Sequence, residues 1–581
     1  MLSWLLRYRL LVLIASVAIA TGGVFAWTRL PIDAFPDVTN TQVMILSEAP
    51  GYAAVDVEQR VTYPIEQAMR GLPRVVQVRS LSKPGLSQVV VVFEDDAETY
   101  WTRQLVFERL ATVREHLPPG VEPELGPIST GLGEIYQYTL EGEGKTAMEL
   151  RTIQDWIVAP LLKPIAGVNE VNSFGGEVKQ IQVLVSPEKL LAFGLTVQDV
   201  VEAVEASNAN AGGGIVVRDW EQMYMRGVGL LQDIPDLEST VVDVKDGTPV
   251  YLRDVAEVTI GAEVRQGAVT RDGKGEVVAG MIVMLKGENS KEVVSRVKDT
   301  VDRIGGTLPE GVKINVFYDR TSLIEACIAT VRNALLEGGI LVIIVLFLFL
   351  AELRTSFIVL VSLPLTFLVS FIVMGWLGIS SNLMSLGGLA FSVGMVVDAS
   401  IVVVENLRRH LATRETGVSV RDTVVAGLRE VVRPVGFSVL IVVVILVPLF
   451  TLQGIEGKMF APLAATMLIA LAVSLVVALT VVPVLSEMLL TQAKEREFRF
   501  VRWIHAGYLR WLDRVLRHPR MTVGISLVVL VGSMGLIPLI GTSFMPPLDE
   551  GAIAINVVRL PNASLEGSAQ VSEFEIGRAH V

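Results

Sequence analysis

Seven apolar runs dominate this sequence, at about residues 10–27, 336–350, 356–376, 384–405, 435–452, 459–485 and 521–540. A hydrocarbon core about 30 Å thick is crossed by roughly 20 apolar residues in helix, which satisfies its own backbone hydrogen bonds where no water is present. The run at 336–350 is short by itself, and Asn333 to Gly339 extend it helically into the interface. The first run reads as an uncleaved anchor. Val17-Ala-Ile-Ala20 loosely resembles a signal-peptide cleavage site, but apolar sequence continues through Phe25 and Trp27, beyond a usual signal core. Composition points the same way: 51% of the 581 residues are hydrophobic, yet 19% are charged. That mixture implies a polytopic membrane protein with a large soluble portion. A net charge of −12 speaks against a nucleic-acid binder, which needs a basic face. The single cysteine, Cys327, excludes a disulfide framework and a cysteine zinc site, and reads as a small packing residue.

Arginine placement sets an expected orientation. The loop after the fourth span carries Arg408, Arg409, Arg414, Arg421, Arg429 and Arg433, and the segment before the seventh carries eight further Lys and Arg residues between Lys494 and Arg520. The short loops 377–383 and 453–458 hold only Lys458. Basic loops belong in the cytoplasm, so the N-terminus is expected inside and residues 28–335 outside. Residues 491–520 place aromatics and leucines opposite arginines at helical spacing, as in an amphipathic helix on the inner membrane surface. Interfacial placement accounts for His505 and His518 better than a binding role does.

Between the first two spans, residues 29–133 alternate strand and helix signals: strand 41–47, helix 53–71 (on Val55, Val61, Ile65 and Met69), strands 74–81 and 86–93 around Lys83-Pro-Gly85, and helix 98–117. This is the split βαβ, ferredoxin-like pattern. It returns over 134–335, with strands 134–140, 168–174 and 180–185, helices 147–165 and 197–207, strand 276–285, helix 292–304 and strand 313–317. Residues 208–265, with Gly212-Gly-Gly214 and several short strands, read as a β-rich insertion. After span seven, Ile540 to Asp549 echo the Pro/Asp turn of Leu30 to Asp37, and Ala552–Val558 alternate like a strand. Residues 542–574 thus read as the start of a second copy of the plan, as in transporters built from repeats. Glu575-Ile-Gly-Arg-Ala-His-Val581 resembles a translated sequencing adapter and reads as a non-native tail on an N-terminal half.

Within the fourth run, Leu386 to Glu405, Asp398 is the lone acid before the terminal glutamate. An ionised carboxylate near mid-bilayer costs at least ~2.5 kcal/mol, so such residues mark ion or proton pathways by default. The rival reading is a structural acid paired with a neighbouring helix. No phosphate-binding loop, His-Glu-x-x-His motif or nucleophile elbow is present, so an enzyme is not expected.

Gly394-Met-Val-Val-Asp-Ala-Ser-Ile-Val-Val-Val-Glu-Asn406 and Phe460-Ala-Pro-Leu-Ala464 together resemble the resistance-nodulation-division (RND) efflux pumps. In that family a half comprises one span, a large periplasmic loop and five further spans, and is then repeated. Drug exporters of the family carry two adjacent aspartates in the fourth span. Ala399 after Asp398, with Phe544-Met-Pro-Pro-Leu-Asp-Glu-Gly551 and Val558-Arg-Leu-Pro-Asn-Ala-Ser564, resembles the heavy-metal branch (CusA/CzcA type). The implied fold is an α+β membrane protein: spans 1–28, 336–490 and 521–541, two porter subdomains, and a docking insertion. The implied function is proton-driven export of heavy-metal cations, with a periplasmic adaptor, an outer-membrane channel and two further copies of the chain as partners, and no resident cofactor. A drug or hydrophobe pump and a non-transporting sterol-sensing scaffold are the alternatives.

Family zinc, cobalt and cadmium pumps carry an aspartate where this chain has Ser392; copper and silver pumps relay ions on methionines, since soft thioethers suit Cu(I) and Ag(I). Met384, fourteen residues before Asp398, fits such a relay, whereas Leu471 and Asn556 stand at the positions matched to other relay methionines. Met374, Met395 and Met467 read as packing residues. For Asp398 the resemblance implies proton uptake and release, since burial favours the neutral carboxyl and a nearby cation the charged one. Glu405, about two turns on, either relays that proton or is an interfacial acid.

Overall fold

The computed structural model describes residues 2–129, 133–265, 267–273, 275–350, 352–414, 418–490, 499–539, 541, 553, 555–560 and 563–579. The chain builds a bundle of long apolar helices carrying a soluble head at one end. Seven helices are long and apolar enough to cross a membrane.

Helix α1 (Arg9–Arg29) leads through the turn at residues 30–34 into the head. There strands β1 (Gln42–Glu48), β2 (Val75–Lys83), β3 (Leu86–Phe93) and β4 (Pro123–Leu125) pair antiparallel in the order β2-β3-β1-β4. Gly85 turns the β2–β3 hairpin at φ 76°, a conformation that glycine adopts without strain. Two helical segments, 54–69 and 99–114, cover one face, burying Val57, Val61, Ile65, Met69, Val106 and Leu110 against β1 and β3. The sequence reading placed Val55 on that face, but Val55 is 61% exposed and Val57 is buried instead. At about 100° per residue Val57 lies roughly 40° from Val61 and Val55 roughly 120° from it, so helical spacing itself puts Val57 on the stripe. Residues 58–62 form a π-turn just before Pro64, whose missing N–H cannot close an i→i−4 bond.

The second sheet repeats the plan. Strands β5 (Glu134–Gly142), β6 (Val168–Phe174), β13 (Val278–Met284) and β14 (Val312–Asp319) lie in the order β14-β5-β13-β6. The same π-turn recurs at 154–158, just before Pro160. Its core gathers Ile135, Tyr138, Leu140, Val158, Ile282 and Val297. Gly280 leaves room for the Tyr138 ring, since a Cβ there would lie 2.2 Å from the ring.

One boundary differs from the sequence reading. The insertion, placed there at 208–265, begins earlier in the structure, since residues 179–185 and the helices at 187–207 pack with it. Strand β7 (Lys179–Val185) does not join the second sheet; it pairs with β12 (Ala256–Ala262) along its whole length. Alternation gives a strand's faces but not its neighbour, and β13 takes the place assigned to β7. The insertion has its own core of Leu190, Val200, Leu237, Leu252 and Val255. From it projects a hairpin of β8 (Ala211–Arg218) and β9 (Glu221–Gly227), every residue of which is exposed. A further pair, β10 (Val241–Lys245) and β11 (Thr248–Tyr251), completes it.

The chain re-enters the bundle through α2 (Arg320–Leu350), α3 (Leu353–Trp376), α4 (Leu383–Ala412), α5 (Val420–Leu446) and α6 (Gly454–Leu489). Helix α2 begins well before the apolar run at 336–350, so its first four turns rise out of it toward the head. Helix α7 (Arg499–Arg517) precedes the seventh long helix, α8 (Pro519–Leu536). The start of the amphipathic segment, 491–498, and the Pro/Asp echo at 542–549 lie outside the described residues. Residues 555–560 form no strand, and a helix, Leu565–Ala579, runs through residue 575, where the tail of the sequence reading begins. Residues 580 and 581 of that tail are outside the description.

Candidate functional site

Helix α4 is opened by a reciprocal cap. The Asn382 side-chain oxygen accepts from the Ser385 N–H at 2.9 Å, and the Asn382 N–H donates to the Ser385 hydroxyl at 2.9 Å. One face of α4 buries Leu389, Val393, Val396, Val403 and Leu407. Gly388 brings α4 tight against α6, since a Cβ there would stand 2.3 Å from the Thr466 hydroxyl and 2.5 Å from the Leu463 carbonyl.

Asp398 sits midway along α4, exposed into a cavity of about 270 Å³ between α4, α5 and α6. Met395 and Val402 of α4, Pro434, Ser438 and Val442 of α5 and Leu471 of α6 share its walls. Pro434 lacks the N–H that would bond residue 430, which loosens α5 beside the acid. Asp398 has no hydrogen bond or ion pair among the described residues. The rival reading, a structural acid paired with a neighbouring helix, therefore has no partner to point to among those residues.

The other expected residues are dispersed. Glu405 is held on its own helix by Arg408, at 2.7 and 3.0 Å. Seven residues of helix rise separate it from Asp398 by about 10 Å, so a proton passing between them needs water in the gap. That ion pair supplies what an interfacial acid needs. Met384 is half-buried near the start of α4, about 21 Å of rise from Asp398, and does not line the cavity. Leu471 does line it and is 2% exposed, while Asn556 is exposed and does not line it. Ser392 is buried and donates to the Leu389 carbonyl at 2.7 Å. His505 and His518 are exposed on and just after α7. Among the described residues, no three His, Cys, Asp or Glu side chains gather in a way that would hold a metal ion.

Sequence reasoning missed the junction between bundle and head. Asp33 accepts from Arg320 at 2.8 and 3.2 Å and from the Ser290 hydroxyl at 3.1 Å. Lys458 donates to the Thr39 carbonyl at 2.9 Å and pairs with Asp95 at 2.6 Å. The signal was present in Lys458, the lone base of its loops, but its partners lie hundreds of residues away.

This is the layout of a polytopic membrane protein that holds an acid at mid-bundle beneath a head of two like sheets. The chain belongs to the AcrB/AcrD/AcrF family, whose model matches residues 1–575. Protein HelA of Legionella pneumophila is 45% identical over 575 residues, covering 96% of this chain and 54% of that protein. The cobalt-zinc-cadmium resistance protein CzcA of Cupriavidus metallidurans is 42% identical over 589 residues, 98% of this chain and 55% of its own length. The cation efflux system protein CusA of Escherichia coli is 37% identical, covering 98% and 56%. A crystal structure of a heavy metal efflux pump superposes with a TM-score of 0.88 at 34% identity, over 100% of this chain and 56% of that one. The chain spans about half the length of the relatives it matches. The resemblance to the heavy-metal branch read from Gly394–Asn406 is upheld by these matches.

Proposed function

We propose that this chain forms part of a proton-driven transporter exporting heavy-metal cations across a bacterial inner membrane. The observation that carries the reading is the acid at mid-bundle: Asp398 faces a cavity between three helices with no partner among the described residues. When a carboxylate so placed gains a proton, no hydrogen bond or ion pair described in the structure is broken. It takes a proton from the outer side and releases it inward, and the helices that repack around each charge state drive the head. The metal is cargo, and neither catalysis of a chemical reaction nor a resident cofactor is part of the reading.

The arginine-rich ends of α4, α5 and α7 support a cytoplasmic N-terminus and a periplasmic head. The two sheets, each in the split-βαβ order, serve as ferredoxin-like porter subdomains. The exposed β8–β9 hairpin suits the docking arm of a homotrimer, and the head would meet a periplasmic adaptor and, through it, an outer-membrane channel. The names of the matched relatives, cation efflux and cobalt-zinc-cadmium resistance among them, support metal cations over drugs as cargo.

The test is Asp398→Asn in the full-length protein. Metal efflux from loaded cells is expected to cease while expression and assembly stay normal; undiminished efflux would remove Asp398 from the mechanism.

A further inference from the structure

Among the described residues, hydrogen bonds and ion pairs tie the head to α4 and to α6 at two separate places, and the two attachments end on different sheets. The first begins at α4. Its leading residues bond the turn after α1: the Ser381 N–H donates to the Pro31 carbonyl at 2.8 Å and the Leu383 N–H to the Ala34 carbonyl at 3.0 Å. The same turn presents Asp33 to Arg320 and Ser290. Ser290 opens the helix 290–305 that packs on the second sheet, and Arg320 directly follows β14 of that sheet. Lys286, two residues beyond β13, adds a 3.8 Å ion pair to Asp37. Helix α4 is thus joined to the second sheet.

The other attachment is one side chain. Lys458 lies in the second turn of α6, with its side chain 20% exposed. Its ammonium donates to the Thr39 carbonyl at 2.9 Å, the Asn40 side-chain oxygen at 3.3 Å and the Asp95 carboxylate at 2.6 Å. All three acceptors flank the first sheet, where β1 begins at Gln42 and β3 ends at Phe93. The Phe93 N–H donates to the Thr41 carbonyl at 2.8 Å, so the two flanks move as one piece. The connecting segment 35–41 is divided between the attachments, with Asp37 held toward the second sheet and Thr39 toward α6.

Helices α4 and α6 meet closely at Gly388 and supply two walls of the Asp398 cavity. Any sliding of α6 along α4 is therefore delivered to the two sheets as relative displacement. Packed helices slide in this way at modest cost, and a charged three-acceptor contact is stiff enough to carry the shift. We infer that Lys458 is the positioning residue that couples α6 to the first sheet, converting movement at the Asp398 cavity into opening and closing between the sheets. The inference rests on the transport reading above. It assigns Lys458 no role in carrying protons or metal.

The experiment uses the full-length pump in proteoliposomes, with efflux of a divalent cobalt, zinc or cadmium salt and proton movement under an imposed pH gradient followed separately. Lys458→Met is expected to lower metal turnover about tenfold with the metal KM unchanged within about twofold, while proton movement persists. Lys458→Arg, which keeps the charge and the donors, is expected to restore turnover. Full turnover in Lys458→Met overturns the inference, and so does loss of proton movement together with export. Should Lys458→Met fail to assemble, Asp95→Asn weakens the same link from the head side and is judged by the same split. Asp398→Asn run alongside separates the two readings, since normal export by that variant sinks the pump mechanism whatever Lys458 does.

Discussion

At the junction of head and bundle Asp33 is gripped by Arg320 and Ser290, whereas Asp398 at mid-bundle has no hydrogen-bonding or ionic partner among the described residues. Both are aspartates within a few turns of long apolar helices. What separates them is the company each keeps. Arg320, only 4% exposed in its side chain, pairs with Asp33 and makes it a structural acid. The cavity around Asp398 is walled mainly by aliphatic side chains and no described cation faces it, so no ion pair locks the acid in one charge state, as a proton carrier requires.

Giving Asp398 what Asp33 has would break the contrast most severely. Val402 lies one turn further along α4 on the same cavity, and Val402→Lys would place an ammonium beside the acid. Efflux assays are expected to show export abolished with the protein still assembled. Export at the normal rate would mean that the charge on Asp398 need not change.

The reverse operation is next in size. Asp33→Ala removes the carboxylate that Arg320 and Ser290 both bond, and thermal unfolding in detergent is expected to show a loss of about 1–3 kcal/mol. A neutral result would deny the junction its structural role. Between the two regions stands the α4–α6 crossing. Gly388→Val pushes a side chain into Thr466 and the Leu463 carbonyl, with an expected cost of about 1–3 kcal/mol and an altered cavity at Asp398.

The smallest effect concerns Asp319, where the head meets α2. Burial raises its pKa, but the Lys298 ammonium and the Thr321 N–H outweigh that and hold the carboxyl below the usual aspartate range. A depressed folded pKa gives stability that is present above the unfolded value of roughly 3.9 and lost as pH falls through the folded one. Because Lys298 is 42% exposed, solvent screening limits the contribution to about 0.5–1 kcal/mol. Asp319→Asn is expected to cost that much at neutral pH and nothing once both states are protonated, as read from unfolding midpoints across the acid range.

Much of this was legible in the sequence for clear physical reasons. Hydropathy marks membrane helices because lipid tolerates little else, and all seven runs lie on helices of sufficient length. It did not show that α2 starts at Arg320, because Glu325, Thr330, Arg332 and Asn333 interrupt the apolar residues that precede the run at 336–350. Alternation located β7 without revealing that its partner is β12, since pairing is a long-range choice. Val57 rather than Val55 joins the buried stripe because it stands about one turn before Val61, whereas Val55 stands about one and two-thirds turns before it. Asp398 stood out because a charge in an apolar run is conspicuous by itself. Lys458 and Asp33 did not, because their meaning lies in partners far along the chain.

Infrared difference spectroscopy of the full-length protein in lipid, stepped across pH, addresses the charge on Asp398 itself. A protonated-carboxyl stretch that comes and goes with pH, and that is missing from Asp398→Asn, is the expected result. If wild type and variant gave the same carboxyl bands at every pH, Asp398 would not be the group that gains and loses the proton.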